Sequence, residues 1–124
     1  MGDFLYKDLT YQIIGVLFDV HNELGGGFLE VVYSDAVEYE LKMRNIPYER
    51  EKKYQVHYKD TILPHHFYAD FVVFGKIILE LKSATHLHES HMAQCLNYLK
   101  ISKLKLAILA NFEGDKLIHH RIIL

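Results

Sequence analysis

Cysteine occurs once, at Cys95, so no internal disulfide can staple the chain, and a lone thiol suits a reducing cytoplasm. No apolar run approaches the roughly eighteen residues that a membrane span needs. Met1 to Tyr11 holds Asp3, Lys7 and Asp8 and lacks the basic start and apolar stretch of a secretion signal. The expected location is therefore cytoplasmic, with no membrane partner. Neither sign of charge dominates: the net charge is −2 with histidine neutral, whereas nucleic-acid binders are usually basic. Nine histidines can add positive charge below neutral pH. Bases also cluster locally, at Lys42 and Arg44, at Arg50, Lys52 and Lys53, and at Lys100, Lys103 and Lys105. Such patches can bind phosphate, although solvated surface is their commoner explanation. There is no Walker-type phosphate loop, no Ser-His-Asp pattern and no Cys/His spacing for structural zinc. His86, His88 and His91 read as a histidine-rich loop near phosphate, while His65-His66 and His119-His120 read as surface or edge-strand residues. Linkers, repeats and low-complexity tracts are missing too, so 124 residues imply one domain, 1–124, with a single core.

What is present is an orderly set of periodic segments. Leu9, Ile13, Val16, Leu17, Val20 and Leu24 recur at helical spacing from Lys7 to Leu24, and Gly25-Gly26-Gly27 ends the run. A second helix is expected from Leu29 to Arg44, stopping before Asn45-Ile46-Pro47. Tyr54, Val56 and Tyr58 alternate with polar residues, which predicts a half-exposed strand turned at Lys59-Asp60. Two apolar strands follow around Asp70 and Glu80, joined at Gly75-Lys76. A third helix spans Ser90 to Ile101, where Cys95 shares a face with Met92, Leu96 and Leu99 and reads as core, not nucleophile. Leu104 to Ala110 is almost continuously apolar, as a strand covered on both faces would be. A closing strand runs from Leu117 to Ile123. The strand–helix–strand crossover from Glu80 to Leu104 requires a parallel pair. The fold class is α/β, a mixed central sheet flanked by helices.

The segment from Tyr68 to Lys82 carries ionisable residues where a sheet core would rather have none: Asp70, Glu80 and Lys82. An ionised group in a buried strand is costly unless it is paired or binds a metal. Glu80 and Lys82, two apart, point to one face of a strand. Two readings weigh about equally on these residues alone. One is a buried ion-pair cluster with Lys82 neutralising a carboxylate; the other is a site for a hard divalent cation and an activated water. A two-residue loop at Gly75-Lys76 would place Asp70 opposite Leu81, so a shared site demands an odd loop, Phe74-Gly75-Lys76, or a bulge, with Gly75 at positive φ. On the second helix Glu30, Tyr33, Val37 and Leu41 share a stripe about 80° wide, which predicts a Glu30 aimed toward the sheet. An exposed first-turn glutamate is the alternative.

The spacing of Asp70 and Glu80-x-Lys82 is similar to that of the PD-(D/E)XK nuclease superfamily, with Ala69 where a proline is usual. Gly27-x-x-Glu30-x-x-Tyr33 further resembles the GxxExxY proteins, a group of small proteins placed in that superfamily. Tyr68-Ala69-Asp70, Ile78-x-Glu80-Leu81-Lys82, Gln94-x-x-Asn97-Tyr98-Leu99 and Leu109-x-Asn111-Phe112 extend the likeness over nearly the whole chain. Gln94 and Tyr98 also resemble the motif that follows the active site in RecB-type nucleases.

The resemblance implies a restriction-endonuclease-like core and metal-dependent cleavage of phosphodiester bonds, in DNA more than RNA. The expected catalytic set is Glu30, Asp70, Glu80 and Lys82. Asp70, Glu80, Glu30 and the Leu81 carbonyl would hold Mg²⁺ or Mn²⁺. Gln94 and Tyr98 are expected to contact substrate, although helix spacing alone favours an amphipathic shoulder for both. The rival functions are an accessory nucleic-acid-binding module that keeps the fold without catalysis, and a structural homodimer whose charged edge is an ion-pair network.

Overall fold

The computed structural model describes residues 5–124. Helix α1, Lys7–Leu24, buries Ile13, Val16, Leu17 and Val20 on one face and stops where Gly25 takes φ 69 and its N–H meets the His21 carbonyl at 2.8 Å. Helix α2, Glu30–Met43, buries Tyr33, Val37 and Leu41. Five strands follow: β1 Tyr48–Tyr58, β2 Thr61–Val73, β3 Ile77–Lys82, β4 Leu106–Asn111 and β5 Ile118–Ile123, with helix α3, Glu89–Ser102, between β3 and β4. They form one sheet in chain order, antiparallel except for the parallel pair β3 and β4 that the α3 crossover demands. This is the mixed sheet flanked by helices that the periodicities predict. Among the described residues no helix is long and apolar enough to cross a membrane.

The sheet separates two apolar layers. Phe71, Val73, Ile77, Leu79, Leu81, Ile108 and Ala110 meet α1 and α2 on one side. Ala69, Val72, Ile78, Ala107 and Leu109 meet Cys95, Tyr98 and Leu99 of α3 on the other. Every residue of β4 is buried, which explains its unbroken apolar run.

One strand is longer than its apolar alternation suggests. β1 starts at Tyr48, well before Tyr54, because its half-buried positions include Arg50 and Lys52. Long basic side chains can lay their stems on apolar surface and keep their heads wet, so they hide a strand from a hydrophobicity pattern. Arg50 Nη1 reaches Asp35 at 2.8 Å and Glu38 at 3.0 Å on α2, and the Tyr48 hydroxyl donates to Glu38 at 2.6 Å. Those donors, Tyr48 first and then Arg50, hold the Glu38 carboxyl below its usual range.

The turn after β4 locks against the glycines after α1. A Cβ built on Gly26 would lie 2.0 Å from the Glu113 carbonyl oxygen, so the two backbones meet where only glycine fits. His21 Nε2 lies 2.9 Å from the Gly114 carbonyl in the same seam. Gly26→Ala should therefore cost about 1–3 kcal/mol by forcing the backbones apart. Urea denaturation of the variant beside the parent checks this, and equal midpoints would show that the seam opens freely.

Candidate active site at the splitting strands

The β2–β3 hairpin sets the geometry. Val73 pairs with Ile77, which leaves the odd loop Phe74-Gly75-Lys76. Phe74 and Gly75 sit at φ 59 and 64, and Lys76 N–H returns to the Val73 carbonyl at 3.1 Å. The loop thus needs left-handed backbone at a phenylalanine as well as at the glycine. Its parity carries the register Phe71–Leu79 on to Asp70 opposite Glu80.

At that point the backbone ladder stops and the carboxylates take its place. Glu80 Oε2 accepts from the Asp70 N–H at 2.6 Å, and Asp70 Oδ2 accepts from the Leu81 N–H at 2.8 Å. β3 meanwhile stays paired with β4 as far as Lys82–Asn111. β2 peels away from β3, and each amide freed by the split is capped by an acid from the other strand.

The neighbouring β1–β2 pair is disturbed at the same level. Phe71 and Val73 pack toward α1 and α2, yet Phe67 and Ala69, at the same parity, pack toward α3. Glu51 lies across from Asp70, between the paired positions Arg50–Phe71 and Lys52–Ala69, and holds φ 54. A non-glycine residue at positive φ inside a strand is strained, and here it marks where the side-chain alternation inverts. Glu30, Val31, Ser34, Arg50, Glu51 and Asp70 line a cleft of about 190 Å³ beside this inversion.

Burial and crowding govern the charges. Glu80 is 2 % exposed, and its carboxyl is pushed up to about 8, first by loss of solvent and then by Asp70. Burial also raises Asp70, against the opposing pull of the Leu81 N–H and of Lys82. Glu30 adds repulsion to both acids, and Glu51 adds it to Asp70. Lys82 is half-buried and lowers both acids, but among the described residues no salt bridge joins it to either one. The closed ion-pair cluster is not what forms.

Glu30 corrects the stripe reading. Tyr33, Val37 and Leu41 are buried, whereas Glu30 is exposed at the first residue of α2, on the rim of the cleft it shares with Asp70. A stripe drawn on an ideal helix does not say where burial begins, and here both Glu30 and Val31 of the first turn are exposed. The rest of its motif aims the helix start. Gly27 takes φ 96; the Tyr33 hydroxyl donates to the Gly25 carbonyl at 2.6 Å and accepts from the Phe28 N–H at 3.2 Å; and the Tyr33 ring stacks on Phe112 at 4.5 Å. Ser83 Oγ, one residue past Lys82, donates to the Phe28 carbonyl at 2.8 Å.

Helix α3 closes the opposite side. Tyr98 is buried and its hydroxyl donates to the Tyr68 carbonyl at 2.9 Å, tying α3 to β2 two residues from Asp70. Gln94 is exposed on the same helix. Burial, then Glu80, pushes the Cys95 thiol up to about 12, which removes it as a nucleophile. Burial, then Lys82, lowers His91. Asn111 escaped the sequence reading in any role, although it lies in a quoted motif. It is buried, its Oδ1 accepts from the Ala84 N–H at 3.0 Å, and its Nδ2 donates to the Ala84 carbonyl at 2.8 Å, which fixes the chain leaving Lys82. Glu51 gave no signal, being one acid among bases.

Among the described residues no three His, Cys, Asp or Glu side chains are gathered as a ready metal-binding group. The donor chemistry still fits a hard cation. Asp70 and Glu80 offer carboxylate oxygens beyond those in the two amide bonds, and the repulsion that adds to burial in raising both acids is what a cation would relieve.

A family model described as the PD-(D/E)XK nuclease superfamily matches residues 7–122. No curated protein matches the chain. The crystal structure of SSO0001 is similar to it with a TM-score of 0.59 and 19% identity, over 74% of this chain and 48% of that one. The chain thus spans about half of that protein's length, and the likeness speaks for the fold.

The raised Glu80 acid makes stability depend on pH with a definite sign. A carboxyl that binds its proton more tightly when folded stabilises the fold fully below about pH 4.5, and that contribution is lost as pH climbs through about 8. Metal-free protein should lose melting temperature across this window, and Glu80→Gln should flatten the slope. Calorimetric scans at stepped pH measure it; equal slopes in the two proteins would show that Glu80 is not held protonated.

Proposed function

The chain belongs to the PD-(D/E)XK nuclease superfamily, and we propose that it is a divalent-metal-dependent nuclease that hydrolyses phosphodiester bonds of DNA at the Asp70–Glu80 split. The observation that carries this reading is the pair of acids facing each other where the ladder ends, with Lys82 beside them. Kinship with the GxxExxY proteins belongs to the same proposal and rests on the Gly27, Glu30 and Tyr33 arrangement.

Asp70, Glu80 and the Leu81 carbonyl would hold Mg²⁺ or Mn²⁺, with Glu30 contributing from the cleft rim. Such an ion lowers the pKa of bound water and offsets charge on a phosphate. The acids would supply the negative field for such a cation, and Glu80, its carboxyl raised by burial, would have to release its proton to act as a ligand. Lys82, unclaimed by a salt bridge with either acid, is available to orient the attacking water or to stabilise negative charge growing on phosphorus oxygens. Tyr98 acts by position, holding the β2 backbone next to Asp70. Gln94, exposed on α3, would contact substrate.

One observation favours a second reading, an accessory module that binds nucleic acid without cutting it: no ready group of three metal-binding side chains exists among the described residues. Metal titration and cleavage decide between them. Mn²⁺ should raise the melting temperature of the parent, since a ligand bound only by the folded state must stabilise it. Glu80→Gln and Lys82→Met should cut the rate of plasmid nicking about 10²–10³-fold. Glu80→Gln should remain folded, relieved of carboxylate crowding, while Lys82→Met, having lost a compensating charge, should melt lower until Mn²⁺ is added. A parent that neither cuts DNA nor shifts its melting point with Mn²⁺ or Mg²⁺ would leave the accessory module standing.

A further inference from the structure

Beyond the split, β1 and β2 continue as a two-stranded ribbon that β3 does not follow, since β3 pairs only with Phe71 to Val73. From Thr61 to Ala69 the ribbon spans about 30 Å at strand rise. One face rests on α3 through Phe67 and Ala69, with Phe67 edge-on to Tyr98. Among the described residues the other face has no such cover. It presents Tyr68, 50 % exposed, with Lys53 directly across from it. His66 comes next, its ring 5.6 Å from Tyr68 and perpendicular to it. His57, paired with Ile62, continues the same face toward the tip, while Tyr58, paired with Thr61, belongs to the other parity.

Composition separates this ribbon from the rest of the molecule. Lys52 to Tyr68 holds three lysines, three histidines and one acid, within a chain whose net charge is −2. Exposed aromatic rings alternating with cations form a surface for stacked bases and a tracked phosphate backbone. Rings can stack on bases only where the bases are unpaired, which selects single strands over an intact duplex. The ribbon leaves the body next to the Glu51–Asp70 level, so a strand lying on it leads into the cleft.

We propose that the outer face of the β1–β2 ribbon, centred on Lys53, His66 and Tyr68, docks a single-stranded stretch of nucleic acid and feeds it to the Asp70–Glu80 site. The inference rests on the nuclease reading for its direction but not for the binding itself. Tyr98 holds the Tyr68 backbone and not its ring, so the ring can be removed without undoing that anchor.

The test uses the Glu80→Gln chain, to prevent cleavage, and fluorescence anisotropy with labelled oligothymidylate and a hairpin duplex. The single strand should bind more tightly than the duplex. Tyr68→Ala should weaken it about tenfold. Lys53→Glu should weaken it too and reduce the slope of log affinity against log salt by about one. Lys116→Glu, the same charge change at an exposed lysine outside the ribbon and outside every basic cluster, should leave affinity unchanged, and melting curves verify that each variant is folded. Ribbon variants that bind like the parent, or a duplex preferred over the single strand, overturns the proposal. If the ribbon variants lose binding while the parent cuts nothing with Mn²⁺, the ribbon assignment is supported and the nuclease reading alone falls.

Discussion

Two hydrogen bonds from backbone amides to carboxylates, Asp70 N–H to Glu80 and Leu81 N–H to Asp70, determine where this sheet opens. A strand that leaves its neighbour inside a protein exposes amides that must find partners. Here two acids supply them, and an acid that accepts a hydrogen bond is favoured in its charged form. Burial pushes the other way and wins, so both carboxyls titrate high. The same side chains thus terminate the β2–β3 ladder and set, at one level of the sheet, two carboxyls whose ionisation burial disfavours.

Around that pair, the remaining contacts hold backbone in place more than they add side chains to the site. Tyr33 clasps the loop before Glu30 and stacks on Phe112, whose N–H in turn donates to the Lys82 carbonyl at 2.9 Å. Ser83 reaches that loop from β3, and Asn111 fixes the chain at Ala84. The start of α2, the end of β3 and the end of β4 are therefore joined by short links, most of them through buried or half-buried groups. Helix α3 completes the frame through Tyr98. Each link is a single hydrogen bond or ring contact worth about 1 kcal/mol, so positional accuracy comes from their number.

Most elements were legible because their periodicities are clean: both long amphipathic helices, the buried β4 and the parallel crossover all read from spacing alone. The start of β1 was not, because Arg50 and Lys52 occupy inward positions that a hydrophobicity pattern counts as outward. Asp70, Glu80 and Lys82 stood out as charges in apolar strands, and hairpin parity placed the two acids opposite each other. Glu30 was legible as a residue but not as an orientation, since its exposure depends on where the helix starts relative to the sheet. Glu51 and Asn111 were silent. One sits between bases and gains meaning only from a left-handed backbone; the other works through hydrogen bonds to Ala84 and Glu113 that no periodicity encodes.

The two hairpin turns of β2 differ sharply in what they tolerate. At the ribbon tip, Lys59-Asp60 lies beyond a register shift between Gln55 and His57, so its pairing is already separated from the pairing beside the carboxylates. At the other end, Phe74-Gly75-Lys76 counts out the parity that sets Asp70 against Glu80. A one-residue slip of the pairing there, Phe74 onto Ile77, would set Leu81 opposite Asp70 and turn every side chain of β3 to the wrong layer. A designer grafting new binding loops onto this frame therefore has one turn to extend freely and one whose flanking pair, Val73 with Ile77, must be kept.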